Sequence, residues 1–373
     1  MLTPQNAGPS ENAEPIDHGT LACTLKMGVT VLTHGIDWVV SSQELPPGFT
    51  AERRYYPFSR FLREKFGCRV YRVTVDAGFT CPNVDGSVAV GGCVYCDNRS
   101  FSPNRRLPRT PVREQVRRGV SILQRRYRAD HFLAYFQAAT NTYASVERLR
   151  RLYDEALDHQ QIVGLAVGTR PDCMPDPVLD LLEGYARDRY VLLELGLQTI
   201  HDRSLDWMNR GHHFDAFSDA VQRCQGRGLD LCAHVILGLP GETHADMLAT
   251  ADALAAMPIN GVKIHNLHVV HDTPLETMYR EGSALMMELA EYVQVVCDFL
   301  ERLPPTMVIH RLSGDAPPDY LVAPLWCADK PVLLRAIQEE LKRRESWQGM
   351  RCSGVGCAGI SRRRVALPLV NMS

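Results

Sequence analysis

No apolar run in this chain reaches bilayer length. Its most apolar early stretch, Leu21 to Val40, is broken by Lys26, His34 and Asp37, so no membrane segment is expected. The sequence also opens without a charged n-region followed by an apolar h-region, and its twelve cysteines are expected to be reduced in a cytoplasmic protein rather than paired as disulfides. An excess of charge is missing too. A formal net charge of −2 excludes a globally basic nucleic-acid binder while leaving local patches open. There is no internal repeat, and with 45% hydrophobic and 23% charged residues the composition excludes a largely disordered chain. The 373 residues accommodate one barrel-type domain of roughly 250 residues with smaller additions.

What is present is an alternation of short apolar runs with longer amphipathic ones from Arg69 onward. That is the pattern of repeated strand-helix-strand units around a parallel sheet. Strands are predicted at Val70 to Val75, Phe132 to Gln137, Ile162 to Gly168, Val191 to Gln198, Leu231 to Leu237 and Val262 to Val269. Helices are predicted at Pro111 to Arg126, Ala144 to Leu157, Pro177 to Arg187, Phe214 to Gly228, His244 to Met257 and Met286 to Leu303. Six such units either close partly into a barrel or lie open as a doubly wound sheet. Both place the chemistry at the carboxyl ends of the strands. A strand at Met307 to Leu312 and a helix at Pro331 to Arg344 would follow. The expected domains are a loose N-terminal extension, 1–50; a core, 51–304; a C-terminal subdomain, 305–350; and a flexible tail, 351–373.

The first predicted strand leads into a loop carrying Cys81, Cys93 and Cys96, with eleven and two residues between them. No fourth close-spaced Cys or His completes a paired zinc motif there. Three thiolates would leave one iron of a four-iron cubane open to S-adenosylmethionine, to which the cluster passes one electron. Gly86, Gly91 and Gly92 let the backbone turn tightly around such a group. The alternative is a structural zinc loop closed by a distant residue, or cysteines unrelated to metal.

At these residues the sequence resembles the radical S-adenosylmethionine (SAM) superfamily, specifically its YhcC-like group, related to the elongator catalytic subunit and the methylthiotransferases. The resemblance covers about Tyr55 to Met350 and is carried by VDAGFTCPN at 75–83, GGCVYC at 91–96, YFQAATNTYA at 135–144 and VGTRPDC at 167–173. It continues in LELGLQT at 193–199, HVILGLPGET at 234–243 and KIHNLHVV at 263–270. The long first spacing departs from the superfamily's commonest form and is a feature of this subgroup. The resemblance implies an α/β fold, a partial (β/α)6 TIM-type barrel with small N- and C-terminal additions. It implies a [4Fe-4S] cluster on Cys81, Cys93 and Cys96, with S-adenosyl-L-methionine bound beside it and an electron donor such as flavodoxin or ferredoxin.

Tyr95 is then expected beside the cofactor, with Gln137, Thr140 and Asn141 meeting its amino group, since oxygen acceptors suit an ammonium. The alternative is a turn capping the next helix. Arg170 would contact the cofactor's carboxylate or pair at the surface with Asp172. Glu194 and Gln198 share a face by strand alternation and would meet cofactor hydroxyls or amines, or else form an internal hydrogen-bond network. Ile236 and Gly238 resemble the adenine-contacting segment. Lys263 and His265 are the candidate catalytic residues at the open end of the barrel, with His268 expected on the opposite face. A satisfied structural histidine is the alternative for His265. The His212-His213 pair reads as a loop feature. Cys352 and Cys357 read as tail residues or as part of a second cluster, and the remaining cysteines as small buried side chains.

Nine arginines against two acidic residues between Phe101 and Asp130 form the one strongly charged segment. With the tRNA-modifying relatives, it points to RNA as the substrate, with Arg113, Arg117 and Arg118 exposed on a helix face. A solvated helix face is the alternative. A small metabolite or a protein is the rival substrate class, and a metal-bound scaffold without turnover the rival function.

Overall fold

The computed structural model describes residues 48–352, together with Leu45 and a small antiparallel hairpin of Thr24–Leu25 and Val29–Thr30. The remaining expectations for the N-terminal extension and the tail, Cys357 included, lie outside the described residues.

Seven parallel strands form one sheet: β1 (Val70–Val75), β2 (His131–Phe136), β3 (Ile162–Thr169), β4 (Tyr190–Gln198), β5 (Asp230–Leu237), β6 (Gly261–Asn266) and β7 (Val308–Arg311). Their spatial order is their sequence order, each paired in parallel with the next. The six predicted core strands are all present, and the strand predicted at Met307 to Leu312 joins the same sheet as a seventh by pairing with β6. The sheet is a curled half-barrel of the partial TIM type. The connecting helices include α1 (Phe58–Phe66), ahead of β1, then α2 (Val112–Tyr127), α3 (Val146–Leu157), α4 (Asp176–Ala186), α5 (Phe214–Arg223), α6 (His244–Ala256), α7 (Leu289–Arg302) and α8 (Lys330–Arg343).

Alternation sorts each strand's residues between two environments. Phe132, Ala134 and Phe136 on β2, and Val191, Leu193, Leu195 and Leu197 on β4, join the core beneath the outer helices. Leu133 and Tyr135, then Leu192, face the other way and pack in a second core with Phe58, Phe61, Leu62 and Phe66 of α1. That helix is absent from the predicted elements although its four buried residues stand at helical spacing. With the amino-end half of the inner face sealed by α1, the polar inward positions further along the strands are left around a cavity.

Candidate active site

A cavity of about 270 Å³ lies at the carboxyl ends of the strands and is lined by the cysteine loop and by residues from β2 to β7. Cys81, Cys93 and Cys96 all reach it, although their loop follows the edge strand β1. Short hydrogen bonds coil the loop: Val84 and Asp85 donate to the carbonyl of Cys81, Gly92 to that of Asn83 and Cys96 to that of Cys93. Asn83, fully buried, ties the loop to a distant turn, its Nδ2 donating to the carbonyls of Asn209 (2.5 Å) and Arg210 (2.8 Å) and lying 3.6 Å from Cys93 Sγ. Gly211 must be glycine for this approach: its φ is +71°, and a Cβ would stand 2.4 Å from Asn83 Oδ1. Arg210, 7% exposed, places Nη1 3.7 Å from Cys93 Sγ and donates through Nη2 to the carbonyl of Gly196 on β4.

Among the described residues, no three Cys, His, Asp or Glu side chains are gathered closely enough to hold a single metal ion. Burial and the thiolates of Cys93 and Cys81 push the Cys96 thiol up to about 12, the mutual repulsion that a shared cationic iron core would relieve. Three thiols that line one cavity are a donor set that fits an iron-sulfur cluster.

Opposite the cysteines, β2 ends in two successive non-glycine residues with positive φ, Ala138 (72°) and Ala139 (57°), a strained turn that directs Thr140 and Asn141 into the cavity wall. Asn141 donates through Nδ2 to the carbonyls of Gly168 (2.8 Å) and Ala138 (3.1 Å), so its amide is fixed, while its Oδ1 is buried with no partner. That orphaned acceptor suits an ammonium. Neither residue caps α3, whose N-cap is Ser145. Gln137, Tyr95, Gln198 and Ile236 also line the cavity, Gln198 with a φ of +74° at the end of β4.

Other expectations change. Arg170 does pair with Asp172, through Nε (2.9 Å) and Nη2 (2.7 Å), but as a residue 2% exposed in the cavity wall rather than at the surface. Its Nη1 donates to the carbonyl of Arg210. Gly238 does not line the cavity; its φ of +85° and the close approach of Met287 account for the glycine. His268 lines the cavity alongside Lys263 and His265, because β6 stops at Asn266 and strand alternation no longer applies beyond it. His213 is exposed and pairs with Asp206 at 2.8 Å.

Glu194 is the hub of an internal network. Its Oε1 accepts from Arg72 (2.8 Å), and its Oε2 accepts from Tyr135 (2.6 Å) and Lys263 (2.8 Å) and lies 2.8 Å from His234 Nε2. These groups form the internal network that was the alternative for Glu194, and the residue also lines the cavity. Burial pushes its pKa up, but Lys263, His234 and Arg72 outweigh burial and hold it well below the carboxylate range. Burial brings Lys263 down to about 8 against the pull of Glu194, and brings His234 down to about 4. His265 Nε2 and Arg311 Nε, beside this network, are buried without partners.

Sequence reasoning missed Arg72, Asn83, Tyr135, Arg210, His234 and Arg311. Tyr135 and His234 were within its reach, each two residues before a candidate on the same strand face, Gln137 and Ile236.

Of the arginines, Arg113 and Arg117 are exposed but paired with Asp158 and Glu114. Arg118 is half-buried on Asn104, which corrects its expected exposure.

The model of the Radical SAM superfamily matches residues 88–254, and that of the Radical_SAM C-terminal domain matches 259–343. The chain is 39% identical over 306 residues to YtqA of Bacillus subtilis (strain 168), covering 81% of this chain and 94% of that protein. It is 40% identical over 274 residues to YhcC of Escherichia coli (strain K12), covering 73% and 87%. Among solved structures, the fold is similar to Elp3 of Methanocaldococcus infernus lacking residues 1–46, with a TM-score of 0.59 at 18% identity, covering 77% of this chain and 65% of that one.

Proposed function

Because the chain belongs to the radical SAM superfamily, we propose that its cavity is where S-adenosylmethionine is cleaved and that Cys81, Cys93 and Cys96 hold the cluster. It is a radical SAM enzyme, and its cofactors are a [4Fe-4S] cluster and S-adenosylmethionine. When bound, the cluster supplies an electron to the sulfonium, giving methionine and a 5'-deoxyadenosyl radical that takes hydrogen from substrate. The observation that carries the site assignment is that three thiols line one cavity together with Asn141, whose buried Oδ1 has no partner.

The chain's own groups divide the work. Asn141 Oδ1 would accept from the cofactor's ammonium, with Gln137 and Thr140 beside it, and Arg170 would meet its carboxylate. Tyr95, Gln198 and Ile236 border the rest of the cofactor. Lys263 and His265 stand further along the same cavity, where they hold or move a proton of the substrate. Enclosure by the strand ends keeps water from a reactive carbon radical.

Anaerobic reconstitution with iron and sulfide, followed by dithionite and S-adenosylmethionine, tests the reading: a brown protein that releases 5'-deoxyadenosine is expected. A colourless, zinc-loaded protein that releases none would leave the scaffold function ahead. In the cell the electron would come from a flavodoxin or ferredoxin. No helix among the described residues is long and apolar enough to cross a membrane.

For the substrate we infer RNA, tRNA in the first instance, supported by the resemblance to families that modify tRNA and by the arginines exposed on α2. The buried, unpartnered Nε2 of His265 in the cavity lining favours the second reading, a small metabolite drawn wholly into the cavity. Nucleoside profiling of RNA from a deletion strain separates the two.

A further inference from the structure

A second concavity, of about 180 Å³, opens beyond the carboxyl end of the edge strand β1 and belongs to none of the machinery above. Three arginines of the charged segment, Arg105, Arg109 and Arg118, line it with a single carboxylate, Asp76. Each guanidinium is held in place by the protein yet mostly unspent. Arg105 donates to Asp76 (3.3 Å) and to the carbonyl of Phe79 (2.9 Å), Arg109 to the carbonyl of Ala77 (3.0 Å), and Arg118 to Asn104 Oδ1 (3.2 Å). Those bonds use one or two of the five N–H groups that each guanidinium carries.

The supports are themselves fixed. Asn104 is locked by its Nδ2 bond to the carbonyl of Thr74 at the end of β1 (2.7 Å). Asp76 shares its Oδ1 with the backbone N–H of Gly78 (2.9 Å). Arg109 lies flat on Gly78, whose φ is +69° and where a Cβ would come within 2.4 Å of the guanidinium carbon. Three cations against one anion leave an excess charge of two in a small polar hollow, in side chains pre-set for forked hydrogen bonding.

We propose that this hollow is a phosphate-binding site. Under the RNA reading above, on which the occupant rests, it takes a phosphodiester of the RNA substrate. The arrangement also explains the split within the arginine segment. Arg113 and Arg117, also on α2, already have carboxylate partners, whereas of the three that gather at the end of β1 Arg105 alone is paired with the hollow's one carboxylate, Asp76. A phosphate held there would lie next to the backbone that leads into the cysteine loop, Phe79 being two residues before Cys81.

The test uses the reconstituted protein, the variant Arg109→Gln/Arg118→Gln, and Arg113→Gln, which removes the same kind of charge outside the hollow. Iron content confirms that each variant is folded. Inorganic phosphate, titrated at constant ionic strength by calorimetry, should bind saturably to the wild type and to Arg113→Gln, and at least tenfold more weakly to the double variant. The logarithmic salt dependence of tRNA binding should flatten in the double variant by roughly 0.7 to 0.9 for each phosphate no longer neutralised. Phosphate affinity that is equal in all three proteins, or no saturable binding, overturns the site even if tRNA binds. Phosphate binding that behaves as expected beside an unchanged tRNA slope upholds the site and removes RNA as its occupant.

Discussion

The guanidinium of Arg210 lies against the thiol of Cys93, Nη1 3.7 Å from Sγ, with Nη2 anchored on the carbonyl of Gly196. A buried cation next to a cluster ligand stabilises the state that carries one more negative charge. Arg210→Gln should therefore lower the midpoint potential of the cluster by at least about 59 mV, a tenfold change for a one-electron couple, and Arg210→Lys by less. Titration followed by electron paramagnetic resonance reads this directly. An unchanged potential would reduce Arg210 to a clasp between the cysteine loop and β4.

Replacing Cys81, Cys93 or Cys96 by Ala should each abolish the visible absorption of the cluster, because two thiolates hold a cubane poorly. Cys352→Ala should leave iron content unchanged. Iron and sulfide that persist in all three loop variants would refute the ligand assignment, and a fall by half in Cys352→Ala would point to a second cluster.

Much of this architecture was legible because the strands alternate between a helix-covered face and the barrel interior, a pattern that survives in single-sequence periodicity. Val70–Val75 and the carboxyl ends of β4 and β5 follow directly from it. The same rule misplaced His268, where β6 has already ended, and left Glu194 between a cofactor contact and an internal network, since its partners come from four other strands. Asn83 and Arg210 meet across more than 120 positions of sequence, so only the folded chain reveals that pairing. The arginine segment reads as one patch in sequence and divides in space, because the turn before α2 brings Arg105 and Arg109 to the end of β1, where Arg118 of α2 joins them.

The Glu194 and Lys263 pair makes a prediction about stability. Lys263→Met leaves the buried carboxylate with one cation fewer, at a cost of about 3 kcal/mol in unfolding free energy. The pH dependence has a definite sign. Folded Lys263 loses its proton near pH 8, against 10.5 as its ordinary value, so between these the unfolded chain binds more protons and stability rises with pH. The difference between wild type and Lys263→Met, from urea denaturation, should widen as the pH is raised from about 8 towards 10.5. A difference that narrows over that range would mean that the folded lysine holds its proton more tightly than the unfolded one.

Asn141 offers the sharpest check on where the cofactor lies. Its Nδ2 is bound to two backbone carbonyls, which fixes the amide in the cavity wall and leaves Oδ1 buried without a partner. A hydrogen bond to a charged group is worth about 1.5–3 kcal/mol, so Asn141→Ala should weaken S-adenosylmethionine binding by roughly ten- to a hundredfold in equilibrium dialysis with the cluster in place. Truncation also strips the carbonyls of Gly168 and Ala138 of a donor, so some stability will be lost whether or not the cofactor touches this residue. The two effects separate in thermal unfolding with and without S-adenosylmethionine. At a hundred times its dissociation constant the ligand stabilises the wild type by about 2.7 kcal/mol, and at that same concentration the variant should gain far less. If the variant melts lower but gains as much from the cofactor as the wild type, Asn141 supports the turn at Ala138 and Ala139 and the ammonium lies elsewhere in the cavity.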